Sequence, residues 1–177
     1  DSPPANPTKD IVFKRPEVSK SPGTRYNDLR FTDQELKTIY TTLIKLTDKY
    51  PFQAEALLFM LCTGRRAEET LKIRWGNINK ARTLITLPAS ITKARKVEYV
   101  DITPPVSFVL KQLDKQLADK YQGYRFVDWL FPTTRINKQR LHEDKYVRSD
   151  SCRTKELRGC WSEVVKQTGI VGAPKML

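Results

Sequence analysis

Leu36, Ile39, Tyr40, Leu43 and Ile44 recur at three- and four-residue spacings among polar and charged neighbours, the pattern of a helix with one buried stripe. Thr32 with Glu35 three residues on forms a capping box, and the spacing predicts a helix from Thr32 to about Tyr50. After Pro51 the pattern changes. Ala54, Ala56, Leu57, Leu58, Phe59, Met60 and Leu61 make a nearly unbroken apolar run, which predicts a buried helix with proline near its first turn. Gly64 closes that helix, because a residue without Cβ takes the left-handed conformation cheaply and lets the next segment leave at a sharp angle. In that segment, Arg65 to Lys72, Arg66 and Glu69 stand three apart on one helical face, and Leu71, Ile73 and Trp75 supply anchors toward the core.

The pattern then shifts toward alternation. Thr83 to Leu87 and Val97 to Ile102 predict two antiparallel strands joined by a basic turn that carries Lys93, Arg95 and Lys96. Pro104 and Pro105 introduce an amphipathic helix with Val106, Val109, Leu110, Leu113 and Leu117 at helical spacing. Phe126 to Phe131, ended by Pro132, predicts a buried extended segment. Thr133 to Asp150 holds Arg135, Lys138, Arg140, Lys145 and Arg148 with few large apolar groups, and predicts a long basic loop. A final helix, from about Ser151 to Thr168, should place Leu157, Cys160, Trp161, Val164 and Val165 on one face, with Gly169 closing it. The expected fold is therefore mainly α with a small antiparallel β-sheet, in the α+β class. Residues 1–31, with Pro3, Pro4, Pro7, Pro16 and Pro22 and only Ile11, Val12 and Phe13 as an apolar cluster, predict an interdomain linker or tail that opens as if continued from something longer.

Charge narrows the partners. Across 177 residues the formal net charge is +12, a polyanion binder's balance that makes duplex DNA the first partner to expect. Cys62, Cys152 and Cys160 are odd in number and lack zinc-ligand spacing, so neither a disulfide framework nor a metal site is expected, and a reducing compartment fits. No apolar run approaches the roughly eighteen residues that span a bilayer, and the N-terminus shows no signal-peptide pattern, so no membrane partner is expected.

Taken in order, the apolar helix, TGRRAEE, a following tryptophan, a basic β-turn with Thr92 and Lys93, an LFP segment and a helix closed by GI resemble the catalytic domain of the tyrosine recombinases, the phage-type integrases. The family signature is similar to TGxRxxExxxLxW. It reads here as Thr63, Gly64, Arg66, Glu69, Ile73 and Trp75, with isoleucine in place of leucine. The resemblance covers about Thr32 to Leu177 and implies that residues 32–177 are part of an integrase-type catalytic domain. It further implies Arg66 as the first catalytic arginine, Glu69 as its supporting acid and Lys93 as the hairpin lysine, with Lys96 as the fallback. Arg65, Arg95, Lys96, Arg135, Lys138 and Arg140 are the expected DNA-binding residues. No cofactor is implied; further recombinase protomers on DNA are, and so is a cytoplasmic, bacterial or phage-encoded setting.

The chemistry agrees with these roles. Phosphodiester cleavage builds charge on the non-bridging oxygens, which a guanidinium meets with two parallel hydrogen bonds. A carboxylate can fix that arginine's rotamer, and a lysine on a turn can deliver a proton to the leaving oxygen. The later family block, similar to HxLRxT and followed by a nucleophilic tyrosine, finds no match. His142 is followed by Glu143, Asp144 and Lys145, and none of Tyr26, Tyr40, Tyr50, Tyr99, Tyr121, Tyr124 and Tyr146 stands where the nucleophile belongs. The expectation is the larger, N-terminal part of a catalytic domain, inactive alone and without a nucleophile of its own. A DNA-binding module or natural truncation without chemistry is the alternative, with a type IB topoisomerase-like relaxase behind it.

Overall fold

The computed structural model describes residues 31–120, 128–135, 138–140, 143, 145 and 148–170. The expected linker before Phe31, His142, the chain after Ile170, and parts of the 126–131 segment and the basic loop lie outside the described residues.

Helix α1 (Asp33–Leu46) starts at the expected cap. Thr32 Oγ1 accepts the Glu35 N–H at 3.2 Å, and Glu35 Oε2 accepts the Thr32 N–H at 2.7 Å. The bonds Glu35 Oε2 accepts from the Thr32 N–H, foremost, and from the Thr32 hydroxyl at 2.9 Å hold the Glu35 carboxyl below the usual carboxylate range. Ile39, Leu43 and Leu46 form its buried stripe. The helix stops at Leu46 and not near Tyr50, because Pro51 disfavours helical geometry at the residue before it and the chain turns over Thr47 to Tyr50.

Helix α2 (Gln53–Thr63) is the hub of the core: every residue from Ala54 to Met60 is buried, Glu55 included. Pro51 lies just outside its first turn, and Phe52 leads in with a left-handed φ of 66°. Gly64 closes it as expected, at φ 67°, with its N–H donated to the Met60 carbonyl at 2.8 Å. α2 packs against α1 on one side and on the other against α4 (Pro104–Lys120), which buries Val106, Val109, Leu110 and Leu113.

Beyond Gly64, α3 (Ala67–Leu71) is shorter than the sequence suggests. Arg66 precedes its first turn as an extended N-cap, φ −71° and ψ 152°. Leu71 and Ile73 enter the core as expected, and Trp75 is half-buried. Strands β1 (Leu84–Leu87) and β2 (Glu98–Asp101) pair antiparallel, with Thr86 opposite Tyr99 and Leu87 opposite Glu98. Ile85, Leu87 and Val100 face the core while Tyr99 faces out. Asp128 to Phe131 runs extended into the centre. Leu130 donates to the Ile73 carbonyl at 2.9 Å, and the Phe131 ring meets Phe59 edge-on at 5.6 Å. Arg74 lies over the Trp129 ring at 4.0 Å and pairs with Asp128, stapling this segment to the chain after α3.

Helix α5 (Arg158–Thr168) begins about seven residues later than the periodicity suggests. A short 3-10 turn (Asp150–Cys152) and an extended stretch precede it, because pairing with Phe131 to Thr133 captures this backbone. Thr133 donates to the Cys152 carbonyl at 2.8 Å and Thr154 to the Phe131 carbonyl at 2.9 Å, bonds a helix there would forfeit. Leu157, Cys160, Trp161 and Val164 face the core, and Gly169 closes the helix at φ 68°. Among the described residues the architecture is mostly helical with one two-stranded antiparallel sheet, the α+β class the sequence predicts.

Candidate functional site: the corner after α2 and the basic hairpin

The left-handed Gly64 turns the chain out of the buried α2 and delivers two arginines in succession, pointed differently. Arg66, in extended conformation, projects outward with 59% of its side chain accessible. Glu69, one turn into α3, is buried, its side chain only 5% accessible. A carboxylate so buried needs partners. Its Oε1 lies 3.6 Å from Arg66 Nη1 and accepts the backbone N–H of Lys93 at 3.0 Å, and its Oε2 accepts the Arg66 N–H at 3.5 Å. One carboxylate thus holds the arginine corner and the lysine-bearing turn together. The ion pair expected from the three-residue spacing is present, but Arg66 enters it from the N-cap, and the shortest bond to Glu69 comes from a residue 24 positions away.

The turn from Pro88 to Val97 is built on Thr92, which is buried. Its hydroxyl donates to the Lys96 carbonyl at 2.6 Å and accepts the Lys96 N–H at 3.2 Å, closing a loop that leaves Lys93, Arg95 and Lys96 exposed. Arg95 takes a left-handed φ of 52°, with its N–H donated to the Thr92 carbonyl at 3.1 Å. Three cations are therefore displayed from one ordered turn tied to Arg66 through Glu69.

The remaining expected DNA-binding residues fall in two groups. Arg65 is turned back onto the hairpin, where Nη1 pairs with Glu98 and Nη2 donates to the Tyr99 carbonyl at 3.4 Å. Arg135 is exposed, Lys138 lies in a 3-10 turn (Lys138–Arg140), and Arg140 is clasped by Glu143 through Nε at 3.0 Å and Nη2 at 2.8 Å. The sequence pattern gave no pairing of Glu98 with Arg65; an acid two residues after the last of three basic residues was the available signal. It pointed to Thr92 but not to the hydroxyl's shaping of the turn.

Two of the three thiols offer no competing chemistry. Burial, then the charges of Glu55 and Glu163, push the Cys160 thiol up to about 12, and burial also raises Cys62, so neither is a thiolate near neutral pH. Among the described residues no group of three metal-ligating side chains comes together, and no helix is long and apolar enough to cross a membrane.

The described residues thus form a mostly helical domain with a small antiparallel hairpin, whose basic turn is held to an arginine corner by a buried glutamate. Residues 29–176 match the model of the phage integrase family, so the chain belongs to that family, the tyrosine recombinases. No curated protein matches it.

Proposed function

We propose that residues 32–177 are part of an integrase-type catalytic domain acting in DNA recombination, and that the corner after α2 is its phosphodiester-binding site. Arg66 meets the non-bridging oxygens of a scissile phosphate, Lys93 protonates the leaving 5′ oxygen, and Glu69 positions both. The observation that carries this reading is the buried Glu69 carboxylate, bonded to the Lys93 N–H at 3.0 Å and ion-paired to an outward-facing Arg66 at 3.6 Å. Glu69 ties the turn of the hairpin and the arginine into one preorganised patch. Arg95, Lys96 and Arg135 extend that patch along the DNA backbone, Lys138 and Arg140 belong to the same contact surface, and residues 1–31 form a linker.

Among the tyrosines, Tyr40 and Tyr50 are packed against the core and Tyr99 stands on β2. None of the seven is proposed as the nucleophile. Positioning of an aligned nucleophile supplies a large part of such a rate, so Arg66 and Lys93 are expected to bind phosphate without cutting it. The test is incubation of the 177-residue chain with nicked duplex DNA, followed by a denaturing gel. Binding without a covalent adduct is expected, with a several-fold weakening by Arg66→Ala. An adduct lost in a single Tyr→Phe variant would identify a nucleophile and refute this assignment.

A further inference from the structure

Arg65 occupies the open position of TGRR and carries no part in the reading above, yet it is the more deeply engaged of the two arginines, with 22% of its side chain accessible against 59% for Arg66. Its two contacts reach one strand. The Ile102 N–H donates to the Thr83 carbonyl at 2.9 Å, which makes that pair a hydrogen-bonded one. Hydrogen-bonded and open pairs alternate along an antiparallel ladder, so Thr86 and Tyr99 form an open pair and the Tyr99 carbonyl points away from β1. Arg65 Nη2 takes that carbonyl while Nη1 takes the Glu98 carboxylate beside it. A planar guanidinium thus seals the outer edge of β2 with its two terminal nitrogens, a geometry lysine cannot reproduce.

We propose that Arg65 and Glu98 are positioning residues, a latch that docks β2 against the α2–α3 corner and thereby sets where Lys93 stands relative to Arg66. The hairpin has two independent attachments to the corner. Glu69 holds its turn through the Lys93 N–H, and Arg65 holds its returning strand. A turn held at one point can swing about that point, and the second attachment removes the swing. Arg65 is therefore not a phosphate contact, although its charge and place in the sequence suggest one. The inference rests on the reading of Lys93 as a phosphate-facing lysine only for its consequence, since the latch itself exists without DNA.

The two roles for Arg65 predict opposite signs for its partner. If Arg65 and Glu98 merely add to the surface potential, Glu98→Gln removes a negative charge from a basic surface and tightens DNA binding. If they form the latch, Glu98→Gln loosens the hairpin and weakens binding, as Arg65→Ala does. Hydrogen exchange in the full 177-residue chain reads the latch directly. Both substitutions are expected to speed exchange of the Lys93, Arg95 and Lys96 amides about fivefold, while amides within α1 and α2 keep their protection. The exchanged pair, Arg65→Glu with Glu98→Arg, should bring turn exchange back toward the wild-type rate, and Arg65→Lys should restore it only in part. Wild-type exchange at the turn in both single variants, with Glu98→Gln tightening DNA binding and Arg65→Ala lowering the salt slope by about one, would overturn the latch and make Arg65 a phosphate contact. If the wild-type chain binds no DNA, the site reading fails while the exchange measurement still decides the latch.

Discussion

Raising salt from about 50 to about 200 mM is expected to weaken binding of this chain to duplex DNA by roughly 500-fold. Arg66, Lys93, Arg95, Lys96 and Arg135 are exposed cations of the proposed surface, while Arg65 and Arg140 are engaged by Glu98 and Glu143. Neutralising about five phosphates releases their condensed counterions and gives a slope near −4.5 in log affinity against log salt; the fourfold change in salt then yields that loss. Fluorescence anisotropy on a labelled duplex measures it. A slope near zero would mean that the +12 charge serves something other than the DNA backbone, and a slope near about −7 would add Arg140, Lys145 and Arg148 to the cations that neutralise phosphates directly.

The second large effect is on the scaffold. Phe59→Ala is expected to cost about 3–5 kcal/mol, near the upper end of what a single core truncation does. Phe59 is fully buried in α2 and its ring meets Phe131 at 5.6 Å, so the substitution forfeits both the transfer of a phenyl ring from water and an aromatic contact. It also leaves a hole where α2 meets the extended Asp128 to Phe131 segment, and neither the helix nor the strand-like partner can collapse into it without breaking backbone bonds such as that from Leu130 to Ile73. Urea unfolding reads the loss as a lowered midpoint. A change below about 1 kcal/mol would mean that α2 is not the core hub described here.

Local chemistry explains which parts of the fold were readable in advance. Thr32 with Glu35, and Gly64 and Gly169 at helix ends, were legible because caps and left-handed closures are decided within a few residues. The hairpin was legible from two short β-prone runs flanking a basic turn, and the structure trims the first strand by one residue and the second by one at each end. The late start of α5 was not, since the helical spacing of Leu157 to Val165 says nothing about Thr133 and Phe131 recruiting the backbone of Cys152 to Thr154 into an extended pairing.

The site divides along the same line. Arg66, Glu69 and Lys93 were identified from a short motif and its downstream order, and the structure brings them together through Glu69. The way they meet was beyond sequence, because a three-residue spacing suggests a helix-face ion pair, whereas Arg66 caps α3 and the carboxylate reaches across to a distant turn. Arg65 shows the converse. Its neighbourhood suggests a phosphate contact, and only the folded hairpin reveals Glu98 and the Tyr99 carbonyl at its guanidinium.

Amide and arginine side-chain NMR of the 177-residue chain, titrated with a short duplex at low salt, maps where DNA touches without requiring cleavage. The expectation is that the largest shifts gather at Gly64 to Glu69 and at Thr92 to Lys96, with the Arg66 guanidinium signal moving and the Arg65 signal staying near its free position. Shifts centred on α1 or α4, with the signals of Arg66 and Lys93 unmoved at saturation, would contradict it.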